Sequence, residues 1–359
     1  MNPSSLIPIP DIIQAPAWVF LVLDILLFGI HILLINTALG SILIILFRGL
    51  KGKKAPPQNP VHDGVAGKIP SLFALGVNFG VAPLLFMQVI YGHLFYTSSI
   101  LMAVYWILII PFLILAYYGA YFYAKKSEVY PLLSKIALWT AALIVLCIGL
   151  IFVNNMTLMI QPEKWTAYFE NRGGTLLNLS DPTLIPRYLH FVAASVAVGG
   201  LFMALLGRRR ARKGMEGPGE NGSAGLKIFG YATIAQILIG MWFLITIPNG
   251  FLLDFMGRDQ FPTIVFLVGF AGALGAVAAA FANRLRATGV LFAITIAAMI
   301  LTRHNLRAMY LSGKFSLSTL RLNPQYGVMA LFFGILIVGI FVLGFMIKLS
   351  RSADHGRIT

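Results

Sequence analysis

Cysteine is almost missing from this chain: Cys147 is the only one in 359 residues. An intrachain disulfide is excluded, and so is any metal site built from paired thiolates. Charge is scarce as well. Asp, Glu, Lys and Arg together make up 11% of the chain, less than half of what soluble domains carry. Of the 12 carboxylates, only Asp24 falls in or beside a long apolar run, where it reads as sitting at the outer interface. No acid occurs in the inner half of any such run. A carboxylate relay carrying protons from the inner side therefore cannot be drawn. Walker and dinucleotide glycine motifs are absent, as is H-E-x-x-H. No Ser-His-Asp or Cys-His arrangement stands out either.

What the chain has instead is hydrophobic length. Apolar residues make up 58%. Runs near 20–48, 70–96, 98–124, 132–158, 186–207, 226–250, 261–283, 287–309 and 325–348 each supply the ~20 residues a membrane-spanning helix needs. The expected fold is all-α: a single integral membrane domain over 1–359, a polytopic bundle of about nine transmembrane helices. Connections are short, and no internal repeat is evident. The first 16 residues lack a cationic leader, so the first span is expected to be retained. Ile12 to Trp18 is expected to lie in the interface before that span.

The net charge of +15 is distributed as topology requires. With the N-terminus outside and the C-terminus inside, Arg48, Lys51, Lys53, Lys54 and Lys68 fill the first inner loop. Lys125, Lys126 and Lys135 fill the second. Arg208, Arg209, Arg210, Arg212, Lys213 and Lys227 fill the third, and Arg284 and Arg286 the fourth. Lys348, Arg351 and Arg357 make the inner C-terminus. Nineteen of the 27 cations thus lie inside, as the positive-inside rule demands. The basicity is topological, and nucleic acid is not an expected partner.

Imidazoles in hydrocarbon are costly and mark functional sites by default. Four of the six histidines fall there: His31, His93, His190 and His304. His62 and His355 lie in polar connecting segments. At 1.5 Å per residue, His93, His190 and His304 lie within a turn or two of the outer interface. His31 lies a third to half way down span one. Neutral imidazole is an axial ligand for haem iron, so this tier reads as candidate ligands for haem b, two or more. Without C-x-x-C-H, such a haem is held by coordination and packing alone. Cations for its propionates stand nearby. Arg187 precedes His190 by three residues, while Arg303 and Arg307 flank His304 at i−1 and i+3. Ala193, Ala194 and Ala197 follow His190 as a small-residue stripe, extended by Gly199 and Gly200. Gly76, Gly80 and Gly92 permit close approach along span two.

Each feature has a plainer reading. Membrane histidines join helices by hydrogen bonds, small stripes are packing faces, and arginines snorkel to the interface. Met329, five residues into span nine, is an alternative axial ligand, with Met87, Met241 and Met309 further possibilities; each also reads as core filler. The outer segment 159–186 carries Trp165, Tyr168 and Phe169 with Glu163, Lys164 and Glu170. It reads as an aromatic belt or as an amphipathic cap under which a quinol docks.

Several stretches resemble subunit I of the cytochrome bd quinol oxidases. They are Arg187-Tyr-Leu-His190-Phe-Val-Ala-Ala-Ser preceded by Asn154-Asn155, Gly29-Ile-His31-Ile-Leu-Leu with Thr37-Ala-Leu-Gly40, Asn78-Phe-Gly, and Met87-Gln88 through Tyr96-Thr-Ser-Ser. The resemblance covers roughly residues 15–210 and leaves 211–359 as a diverged four-helix part. It implies nine spans with the N-terminus outside, in a bacterial inner membrane. It also implies that His190 ligates a low-spin haem b and His31 a high-spin, oxygen-site haem. The departures are specific. Gln88 stands where the family carries glutamate, the Gly-Arg-Gln-Pro-Trp signature is missing, and Asp254–Gln260 replaces the long quinol loop. His93 and His304 have no family equivalent.

The expectation is accordingly a haem b-binding electron-transfer subunit, a possible quinol-oxidising oxidoreductase subunit. It would pass electrons between membrane menaquinol or ubiquinol and an extracytoplasmic partner, a periplasmic multihaem c-type cytochrome, because no soluble redox segment is visible. The alternatives are subunit I of a bd-type oxidase reducing oxygen and a haem-free transporter. A transporter would require polar residues and broken helices converging near the midplane; Asn154, Asn155 and Pro248-Asn249 are the best such features.

Overall fold

A computed structural model describes residues 6–50, 64–212, 214 and 218–355. Lys51, Lys53, Lys54, His62, Asp63, Lys213, Glu216 and Arg357 lie outside the described residues. Apolar runs in lipid must satisfy every backbone group internally, which leaves the helix as the form open to them. Nine helices among the described residues are long and apolar enough to cross a membrane. They are α1 (Ala17–Leu50), α2 (Ile69–Leu101), α3 (Ala103–Lys126), α4 (Pro131–Met159), α5 (Leu184–Ala211), α6 (Pro218–Thr246), α7 (Gln260–Phe281), α8 (Leu285–Leu311) and α9 (Tyr326–His355). The expected all-α polytopic bundle is therefore the observed fold.

Local signals set the helix boundaries. Proline in the first turn opens α2 and α4, where its missing N–H costs nothing. The Asp259 carboxylate accepts from Phe261 N at 3.1 Å and caps α7. Asn283 takes φ 56°, a left-handed position that asparagine tolerates, and turns the chain from α7 into α8. Inside α2 the helical dihedrals break at Tyr91 (φ −116°, ψ 21°), beside the candidate site.

Helices α1 to α4 pack as one group and α5 to α8 as another, joined chiefly where α1 lies against α5. Small residues make that join. Gly40 and Gly199 face each other backbone to backbone, and a Cβ added to Gly40 would overlap the Ser195 carbonyl. Ser195 Oγ donates to Asn36 Oδ1 at 2.9 Å across the same contact. Close approach plus an interhelical hydrogen bond is how membrane helices associate without a hydrophobic drive. Helix α9 stands apart: none of its most apolar 18-residue window is buried.

The end at which α1 begins, here the upper end, also carries the α2–α3, α4–α5, α6–α7 and α8–α9 connections. These connections are laced together. Ile13 N donates to Arg321 O at 2.9 Å, and Asn323 N donates to Ile13 O at 2.8 Å. Leu176 N donates to Leu101 O at 3.0 Å, and Lys314 pairs with Glu163 at 2.8 Å. Ile13 is thus part of a bridge to Leu322, which gives the segment before α1 a protein partner rather than a free interfacial position.

Candidate functional site

Three arginines, from α5 and α8, converge at the upper end of the seam between the two helix groups. Arg307 is buried and lies 3.8 Å from the equally buried Asp24 of α1, with its guanidinium 5.1 Å from the Tyr91 ring centre. Arg303 stacks on Phe28 at 4.2 Å, and Arg187 on Phe243 at 5.0 Å. Asp24, Arg307 and Arg187 all lie within electrostatic range of Arg303. Stacking on aromatic faces offsets part of the cost of burying a cation. It does not supply hydrogen bonds. Arg187 Nε and Nη2, Arg307 Nη1 and Asp24 Oδ1 are buried without a partner. The arginines therefore turn inward rather than snorkel, and Asp24 sits in the seam rather than at the interface.

The four histidines meet different surroundings. His31 Nδ1 lies 2.7 Å from Gly76 O. A carbonyl only accepts, so Nδ1 carries the proton and Nε2 keeps its lone pair. Metal-ligating histidines are commonly oriented by this same bond. The ring fits because residue 80 is glycine; a Cβ there would strike it. His93 Nε2 is buried without a partner, and its ring lies 4.8 Å from that of Phe315. His304 makes no hydrogen bond among the described residues and lines a cavity of about 530 Å³ with Tyr91 and the 311–319 connector. His190 is engaged at both nitrogens. Nδ1 donates to Gln236 O and Nε2 accepts from the Gln236 amide, each at 3.1 Å, against Gly240 of α6.

Phe315 and Tyr91 thus bring His93 and His304 into one neighbourhood, and Asp24 and Phe28 tie the α1 side to Arg303 and Arg307. No hydrogen bond or ring contact among the described residues joins His190 to the other three. Of the methionines, Met87 is buried, Met241 is exposed, and Met329 lies on the detached α9. Cys147 is free and exposed. Among the described residues no group of three or more His, Cys, Asp or Glu is placed to hold a metal by protein ligands alone.

The α4–α5 segment caps this end, but not as a belt. Trp165 is buried, with Nε1 donating to Leu158 O at 2.9 Å, while Tyr168 and Phe169 face outward. Behind it runs a buried polar network. Asn178 N donates to Asn154 Oδ1 at 3.1 Å and its amide to Gln161 Oε1 at 3.2 Å; Gln161 donates to Asp181 at 2.8 Å, which accepts from Thr183. Leucine at 178 would keep the backbone bond to Asn154 but remove the amide's bonds to Gln161 Oε1 and Thr157 Oγ1, at about 1–3 kcal/mol for each orphaned group. Asn178→Leu is expected to lower the thermal midpoint of the purified protein, and Arg172→Gln, at an exposed position nearby, to leave it unchanged.

Sequence reasoning missed Gln236, Tyr91, Phe28 and Phe243, and placed Asp24 at the interface rather than in the seam. Gln236 and Asp24 did carry a signal, as polar residues inside apolar runs. The aromatic partners carried none. No protein-family model matches this chain, and no curated protein matches it. Its class therefore rests on its fold, an all-α multi-pass membrane bundle with a polar seam at one end. Chemically, the seam combines unengaged imidazole nitrogens with partnerless guanidinium atoms.

Proposed function

We propose that the chain is a haem b-binding membrane subunit of a bacterial respiratory complex. It would pass electrons between membrane quinol and an extracytoplasmic partner such as a multihaem c-type cytochrome. The observation that carries this reading is the presence, in one bundle, of unengaged imidazole nitrogen on His31 and His93 and of buried guanidinium nitrogen without a hydrogen bond on Arg187 and Arg307. No protein hydrogen bond uses these nitrogens, and Arg307 Nη1 faces Asp24 at 3.8 Å. A haem with two carboxylates satisfies both deficits at once, and when bound it supplies one-electron carriage. Arg187, Arg303 and Arg307 would meet the propionates. His31 and His93 are ready as ligands. His190 joins them once the Gln236 amide rotates off Nε2, and His304 is the fourth candidate.

The resemblance to cytochrome bd subunit I supports the same cofactor class, and the scarcity of intramembrane acids favours electron carriage over oxygen reduction. The oxidase alternative keeps one supporting observation: no protein hydrogen bond uses His31 Nε2, which would leave it to hold an oxygen-site haem. Protein purified from cells supplied with haem is expected to show a Soret band, a pyridine haemochrome of haem b, and no spectral change with CO. A CO-reactive haem selects the oxidase; a colourless preparation contradicts both.

A further inference from the structure

The cavity beside His304 differs in chemistry from the seam behind it. Tyr91 and Phe315 provide flat apolar walls, and Leu311 closes the base. Ser312 and Thr319 bring hydroxyls from the connector, and the His304 ring brings two nitrogens that no protein group uses. The charges nearby face other groups. Lys314 pairs with Glu163 at 2.8 Å, and Arg303 and Arg307 turn away onto Phe28 and Tyr91. Lys314, the one Lys or Arg in the cavity lining, is paired, so an anionic ligand finds no free cation in these walls. A neutral, flat ring that both donates and accepts hydrogen bonds finds walls and partners. The volume, about 530 Å³, lies in the usual range for small-ligand pockets. Tyr91 is shared: it lines the cavity and also carries the Arg307 guanidinium, 5.1 Å from its ring centre.

We propose that this cavity holds the headgroup of a membrane quinol, with His304 as the hydrogen-bond partner of a ring hydroxyl. The assignment rests on the electron-transfer reading above and refines it. His304 belongs to the substrate, and iron ligation falls to His31, His93 and His190. The cavity lies between α8 and the α8–α9 connector, and Tyr91 sets it one side chain from the arginine seam.

The test is photolabelling of the full-length protein in lipid nanodiscs with an azido-ubiquinone, mapped by mass spectrometry, with haem content measured on the same samples. Label is expected within residues 304–319. It should fall tenfold or more in His304→Ala and in Ser312→Trp, which fills the cavity from an exposed connector position, while haem content stays at the wild-type level. Label outside 304–319, no label, or label unchanged in both variants overturns the site. So does His304→Ala losing haem while Ser312→Trp keeps its label, which would make His304 an iron ligand. Specific label on a wild-type protein without haem leaves the site standing and defeats the haem reading instead.

Discussion

A Gly40→Leu variant is expected to fail to assemble, with little folded protein recovered from the membrane. Gly40 lies where α1 crosses α5, and its missing side chain is what lets the two backbones meet. A Cβ there would overlap the carbonyl of Ser195, and a Cβ at Gly199 on the facing helix would lie 2.6–2.9 Å from the Gly40 and Ser41 backbone. Overpacking costs about 1–3 kcal/mol when side chains can move aside. Here the obstacle is main chain, so the cost lies at or above the top of that range. Separating α1 from α5 also breaks the Ser195–Asn36 hydrogen bond and opens the seam in which the arginines lie. Gly289→Leu is the matched control. A Cβ at Gly289 meets nothing within 4 Å, so that variant is expected to accumulate normally. Equal yields of the two would contradict the packing.

Asp24→Leu is expected to destabilise the protein by about 3–5 kcal/mol, the cost of removing one member of a buried ion pair. The sign of the comparison with its partner is the sharper prediction. The seam holds Arg187, Arg303 and Arg307 against one intramembrane carboxylate. Removing Asp24 leaves three cations with no countercharge in the helices, whereas Arg307→Leu leaves Asp24 still facing Arg303. Asp24→Leu is therefore expected to be the more damaging of the two. Thermal unfolding of both variants in one detergent, followed by loss of monodispersity, checks the order. If a bound anion shares the seam, as the proposed function requires, supplying haem during expression should recover part of the Asp24→Leu loss. An Arg307→Leu protein less stable than Asp24→Leu would sink the charge argument.

Much of the fold was legible because lipid restricts the choices. An apolar run of about 20 residues has few structures open to it, so all nine spans were readable from composition, with only their ends displaced. Helix rotation was not readable. Arg303 and Arg307 precede the upper end of α8 by eight and four residues, a position equally suited to snorkelling or to facing inward. What decides is Phe28 and Tyr91, brought from 275 and 216 residues away by packing that no local pattern encodes. The same holds for His190, whose partner Gln236 appears only once α5 is known to lie on α6. Asp24 stood out in the sequence as the one acid in a span, yet its depth needed Arg307 to explain it. The 311–319 connector reads as an ordinary polar turn, and its role as a cavity wall arises only from folding back over α2 and α8.

The most direct test is the haem b content per polypeptide of the wild-type protein and of single His31→Ala, His93→Ala and His190→Ala variants, each checked for folding by helical circular dichroism. The account predicts two or more haems in the wild type and the loss of roughly one in at least two of the variants, as axial ligation by imidazole requires. A folded wild type without haem, or three variants that keep every haem, would contradict it.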